Sequence, residues 1–167
     1  LGYNGCCCQR HAHLRLAIEE IHMNQNKGIL TAATRPIVSV ITPTYNRAHL
    51  LPRVWSSLRQ QTLQAFQWIV VDDGSTDDTR AVVFSFNDPR ICYVYQPNTG
   101  VNSARNRGEQ EIRGDFVVFL DSDDELYAHD TLETMVGAIR GARPEIGMVY
   151  FTVVDSEGRN GLYHVDA

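Results

Sequence analysis

The sequence predicts an α/β protein with a mostly parallel central sheet and helices on both faces. Two observations carry this. Short β-rich apolar runs alternate with helical hydrophobic patterns in the order β-α-β-α-β-α-β-α-β, as a parallel sheet with crossover helices requires. Two of those runs end in adjacent acids, and in open sheets of this kind ligands bind at the carboxyl ends of the strands.

The elements follow in order. Residues 1–35 read as an N-terminal helical extension, with Leu14, Ala17, Ile18 and Ile21 at helical spacing over about His11 to Gln25. Cys6, Cys7 and Cys8 are consecutive and lack the spaced pattern of a metal site, so a packing or partner helix, or a stray N-terminal extension, is expected there. The main domain spans residues 36–167. It opens with the strand Ile37 to Ile41, stopped by Thr42-Pro43-Thr44. Tyr45 and Asn46 lead into a helix carrying Leu50, Leu51, Val54, Trp55 and Leu58, with Asn46 as the expected N-cap. This turn has no glycine-rich dinucleotide fingerprint; its proline, hydroxyls and aromatic suit a base or ring better than a pyrophosphate.

The second strand, Phe66 to Val71, ends in Asp72 and Asp73. Gly74 permits a tight turn, and Ser75 or Thr76 is suited to capping the helix that runs to about Phe86. Asp73 is a candidate acceptor for a base or ribose, and Asp72 a structural acid. After Asp88-Pro89, Ile91 to Tyr95 reads as a third strand. A helix starting near Gly100 carries Arg105 in its early turns, where helix N–H groups and an arginine make an anion site. Arg107 is expected on the exposed side. The fourth strand, Phe116 to Leu120, is a continuous apolar run and predicts burial on both faces. It runs into Asp121, Asp123, Asp124 and Glu125. Carboxylates so close repel unless a cation sits between them, and Mg²⁺ typically takes one or two carboxylates plus substrate phosphates. A helix over about Asp130 to Arg140, a fifth strand over Ile146 to Phe151 and a turn at Asp155 to Gly158 complete the pattern.

Composition narrows the function. A net charge of −5 argues against a nucleic-acid backbone as main partner. No apolar run approaches the roughly 20 residues of a membrane span. Four cysteines, three of them consecutive, make no disulfide framework, so a cytoplasmic, reducing compartment is expected. Lys27 is the only lysine, which excludes a P-loop or a Schiff-base enzyme for the main domain. The chain starts at Leu1 rather than Met, as a fragment or processed chain would.

Four motifs in order, each at a strand end, resemble the family 2 glycosyltransferases: Ser39-Val-Ile-Thr-Pro-Thr-Tyr-Asn46, Val71-Asp-Asp-Gly-Ser-Thr-Asp77, Asn98-Thr-Gly-Val-Asn-Ser-Ala-Arg-Asn-Arg-Gly108 and Phe119-Leu-Asp-Ser-Asp-Asp124. The resemblance covers about residues 36–155. It implies a Rossmann-like GT-A fold and metal-dependent transfer of a sugar, with inversion, from a nucleotide diphosphate-sugar, a UDP-sugar being favoured, to a saccharide or lipid-linked acceptor. It also implies the residue roles. Pro43, Tyr45 and Asp73 would hold the nucleoside, and Arg105 would lie near the diphosphate. Asp123 would bind Mg²⁺ or Mn²⁺, Asp121 would face the ribose or support the metal, and Asp124 is a further metal candidate. Family members make polysaccharides, lipid-linked sugars and glycoproteins, which implies a cytoplasmic protein or one peripheral to the inner face of a membrane. The resemblance stops short of the catalytic base: Asp155, Glu157 and Asp166 are unconvincing, and the later Gln-x-x-Arg-Trp-type motif is absent. The domain is therefore expected to be C-terminally incomplete. Three alternatives stay open: a doubly wound domain binding some other nucleotide, a non-catalytic nucleotide-sugar-binding module or structural piece of a complex, and a haloacid dehalogenase-type phosphatase. The phosphatase needs a lysine downstream of its acidic motif, where this sequence has none.

Overall fold

The computed structural model describes residues 35–141 together with residues 153–154 and 160–161. The expected N-terminal helix and the strand at 146–151 lie outside the described residues. Within them the elements run β1 (Val38–Thr44), α1 (Leu51–Arg59), β2 (Phe66–Asp73), α2 (Thr79–Ser85), β3 (Ile91–Gln96), α3 (Val101–Glu109), β4 (Phe116–Phe119) and α4 (Thr131–Gly141). Two short strands, β5 (Val153–Val154) and β6 (Asn160–Gly161), pair antiparallel on either side of the expected turn. Among the described residues no helix is long and apolar enough to cross a membrane.

β1 to β4 form one sheet in the order β3-β2-β1-β4, with every pair parallel. Each crossover carries a helix, and alternate strand residues send their side chains to opposite faces. Val38, Val40, Trp68 and Val70 face α1 and α4, where Leu51, Val54, Leu58, Leu132 and Val136 complete the larger core. Trp55 and Trp68 stack there at 5.5 Å, and Trp68 Nε1 donates to Thr42 Oγ1, so the indole is buried without an unpaired N–H. Ile41, Ile69, Val71, Cys92 and Val94 form the second core, against Ala104 of α3.

The structure corrects three expectations. Asn46 does not cap α1, which begins at Leu51 with Leu50 at the cap position. Asn46 sits at φ 53°, a left-handed conformation that asparagine tolerates, and its side chain accepts from Thr76 N at 2.8 Å. Ser75 and Thr76 do not cap α2. Ser75 Oγ accepts from Asn46 N, while Asp77 Oδ1 accepts from Thr79 N at the start of that helix. Finally, β4 is not buried on both faces. Phe116 and Val118 pack on the larger core, but Val117 and Phe119 are exposed. Among the described residues β4 has a strand neighbour on one side alone, and α3 covers β1 and β2 instead.

β4 is seated by a polar contact. Ser39 Oγ, fully buried in β1, donates to Gln67 Oε1 and accepts from Gly114 N at 2.9 Å. A Cβ on Gly114 would stand 2.7 Å from Ser39 N and 2.8 Å from the Val38 carbonyl carbon, both main-chain atoms that cannot step aside. Gly114→Ala is therefore expected to cost about 1–3 kcal/mol, as overpacking does, measured as a lower urea midpoint at unchanged slope.

Candidate functional site

In this strand order the chain builds outward from β1 in two directions, through β2 to β3 and then back to β4. The crevice between the carboxyl ends of β1 and β4 is the switch point where open α/β sheets bind ligands. A cleft of about 290 Å³ opens there. One wall is Pro43, Thr44 and Tyr45 at the end of β1, followed by Arg47. The other is Asp121, Ser122 and Asp123 just past β4, and Val101 of α3 closes a side. Tyr45 and Val101 are about half exposed, so an aromatic face and an aliphatic one look into the opening.

Each acidic residue of the far wall carries an arginine. Arg105 Nη2 lies 2.8 Å from Asp121 Oδ1, and Arg47 Nη1 lies 2.8 Å from Asp123 Oδ2. Arg47 Nη1 also reaches Ser122 Oγ at 3.4 Å. Arg53, from α1, donates to the main-chain carbonyl of Asp123. Arg105 additionally lies 5.8 Å from the centre of the Phe119 ring. Two buried side-chain atoms of the described residues have no hydrogen-bond partner, Thr44 Oγ1 on the cleft wall and Arg105 Nε.

Asp72 and Asp73, by contrast, are turned onto the protein. β2 continues through both, because Asp72 pairs with Tyr95 and Asp73 with Gln96 of β3. Asp72 accepts from Ser75 N and from the Tyr93 hydroxyl, the structural role expected of it. Asp73 is buried and accepts from Gln96 Nε2 and Thr99 N on one oxygen and from Gly100 N on the other. Burial alone would raise its pKa, but the donors from Gln96, Thr99 and Gly100 outweigh it and hold the carboxyl below its ordinary value. A carboxylate at the start of α3 also meets the positive end of the helix dipole. Arg107 is tied locally, 2.9 Å from Glu111.

The acids past β4 divide. Asp121 and Asp123 line the cleft with side chains 43% and 53% exposed. Asp124 is exposed but is not part of the lining, and its carboxyl is pushed up by partial desolvation, then by Asp123 and Asp121, with Arg53 opposing. Among the described residues no three His, Cys, Asp or Glu side chains come together as a metal cage. One or two accessible carboxylates are what Mg²⁺ takes when phosphates and water supply the rest, and hard oxygen donors suit Mg²⁺ and Mn²⁺. The donor set fits such an ion.

Of the residues singled out from sequence, Pro43, Tyr45, Asp121 and Asp123 meet around the cleft, and Arg105 reaches it through Asp121. Asp73 lies behind it. Asp155, Glu157 and Asp166 fall outside the described residues. Thr44, one of the hydroxyls expected to suit a base or ring, lines the cleft, whereas Arg47, Ser122 and Val101 were not anticipated. Arg47 follows directly on the Tyr45-Asn46 pair, the one signal that could have drawn attention to it.

Comparison with known proteins bears on the fold and the family. The family model described as Glycosyl transferase family 2 matches residues 39–165. The GalNAc(5)-diNAcBac-PP-undecaprenol beta-1,3-glucosyltransferase of Campylobacter jejuni is 43% identical over 95 residues, covering 54% of this chain and 31% of the relative. The solved structure of TarS residues 1–349 from S. aureus, in complex with UDP, is 33% identical with a TM-score of 0.58, covering 62% of this chain and 32% of that one. The mannosyltransferase PcManGT from Pyrobaculum calidifontis, in complex with GDP-Man and Mn²⁺, is 28% identical with a TM-score of 0.58, covering 81% and 41%. The chain thus spans less than half the length of the relatives it matches here.

The pKa shift of Asp73 has a testable consequence. Its contribution to stability is fully present above the ordinary aspartate value of about 3.9 and is lost as pH falls through its lowered folded-state value. Asp73→Asn, which leaves main-chain donors short of an acceptor, is expected to lose about 1–3 kcal/mol at pH 7. It should then lose less than the wild type between pH 5 and pH 3 (approximate limits) in urea titrations.

Proposed function

The chain belongs to glycosyl transferase family 2, and we propose that it forms the donor-binding part of an enzyme that moves a sugar from a nucleotide diphosphate-sugar to an acceptor with inversion at the anomeric carbon. The observation that carries this is the placement of Asp121 and Asp123 across the switch-point cleft from Pro43 and Tyr45. In this reading Pro43 and the exposed Tyr45 ring hold the nucleoside. Asp73 supports that end by fixing the Thr99–Gly100 turn; a direct bond from its carboxylate to a base would have to displace one of its present donors. Asp123, with Asp121 beside it, holds Mg²⁺ or Mn²⁺. Asp124 serves from outside the lining, by adding negative charge near the ion. Arg105 lies by the diphosphate. A cation bound there supplies Lewis-acid stabilisation to the leaving diphosphate as its negative charge grows.

The donor and acceptor classes draw on the relatives. A UDP-sugar is favoured because TarS holds UDP at 33% identity, although PcManGT holds GDP-Man. A saccharide or lipid-linked acceptor accords with the Campylobacter relative, whose name carries a PP-undecaprenol-linked saccharide. Such an acceptor goes with a cytoplasmic protein working at the inner face of a membrane.

Donor binding is tested by thermal shift with UDP, GDP, CDP and dTDP, each with Mn²⁺ and with EDTA. A ligand that binds the native state stabilises it by about 2.7 kcal/mol at a hundredfold excess over its Kd. One nucleotide should raise the Tm only with Mn²⁺, and Asp123→Ala should abolish the rise. No metal-dependent shift with any of the four, in folded protein, would overturn the reading.

A further inference from the structure

We propose that Arg47 is a built-in stand-in for the cation: it neutralises Asp123 until a metal-bound diphosphate enters, then releases the carboxylate to the metal and moves its guanidinium to the diphosphate. This rests on the donor-site reading above and adds to it a residue and an exchange.

Three observations support it. First, Arg47 and Asp123 are both in the cleft wall, and their pair is half exposed, with side chains 43% and 53% accessible. An ion pair so solvated is weakly held and exchanges at little cost. Second, what surrounds the pair is anchored without it. Arg53 holds the Asp123 carbonyl, and the main chain around Arg47 is fixed by Asn46 N to Ser75 Oγ, Ala48 N to Asp77 Oδ2 and Leu50 N to the Arg47 carbonyl. The guanidinium can leave while both backbones stay in place. Arg105 differs: its Nε is buried and its guanidinium packs by Phe119, so it is the fixed cation of the cleft and Arg47 the movable one. Third, the charges balance before and after. Two carboxylates face two guanidinium groups. A divalent cation with a diphosphate diester adds two positive and two negative charges, so Asp123 can pass to the metal and Arg47 to the phosphates with no change in net charge. A cation alone would have to compete with the arginines for the same oxygens.

The test separates a stand-in from a structural arginine by the opposite signs it predicts. Binding of Mn²⁺ alone is read from the electron paramagnetic resonance signal of the free ion, and binding of UDP and GDP at saturating Mn²⁺ from calorimetry. In Arg47→Met, Mn²⁺ alone should bind about two- to fivefold tighter, the range expected on removing a solvated ion-pair competitor. The nucleoside diphosphate should bind about tenfold weaker or worse, having lost a charge-assisted bond to phosphate. Arg47→Lys, which keeps a point charge without the fork, should fall between wild type and Arg47→Met on both scales. It also serves as the comparison if the methionine variant does not fold. Weakening of both ligands would mark Arg47 as structural and overturn the proposal, as would no change in either. If wild-type protein binds neither UDP nor GDP with Mn²⁺ while the Mn²⁺ measurement works, the donor-site reading falls first and this inference with it.

Discussion

The cleft depends on a carboxylate that faces away from it. Asp73 gathers donors from Gln96, Thr99 and Gly100, and so fixes where α3 begins relative to the end of β2. Val101 is the first residue of that helix and Arg105 lies one turn further on. Both therefore inherit their position from Asp73. Asp72 does the same for the turn after β2, holding Ser75, which in turn takes the Asn46 amide from the loop after β1. One pair of acids at the end of a central strand thus links three separate loops. Buried carboxylates are costly unless their oxygens are satisfied, and here the donors are mostly main-chain amides that cannot turn away.

Much of this was legible in the sequence, for reasons that also mark where legibility ends. The four strands of the main sheet and the four helices are near their expected places because apolar period and turn residues are local signals. The acids past β4 reach the carboxyl edge of the sheet because strand direction and crossover handedness leave them nowhere else. Asn46 was misread because its residue type suits a helix cap, while its actual partner, Thr76, lies 30 positions away. The apolar run of β4 told what that strand could bury and nothing of what lies beside it. Asp72 and Asp73 could be seen to close a strand, but their division of labour is set by the pairing with β3. The bond between Arg47 and Ser122 spans 75 positions, and no local pattern announces such a contact.

The electrostatics of the cleft follow a different logic from those behind it. Asp72 and Asp73 are buried and satisfied by dipoles, so their charge is committed to the fold. Asp121 and Asp123 are partly solvated and paired with guanidinium groups, Asp121 with Arg105 and Asp123 with Arg47. Low dielectric makes the first pair strong and rigid, whereas water screening keeps the second exchangeable. The two carboxyl edges thus hold two kinds of acid: a buried pair committed to the fold, and a solvated pair open to exchange.

The register that sets Val38 beside Phe116 has a consequence for how the molecule comes into being. On the ribosome β1, α1 and β2 emerge early and can bury Trp55 against Trp68 as soon as they meet. The last of the described strands of this sheet, four residues long, pairs with the other edge of β1. Parallel pairing over so long a loop is slow, since closure entropy is lost before the contact is gained. The wall carrying Asp121 and Asp123 hangs on that late step. The hydrophobic nucleus thus needs only the first half of the sheet, whereas the cleft needs the pairing that closes its topology.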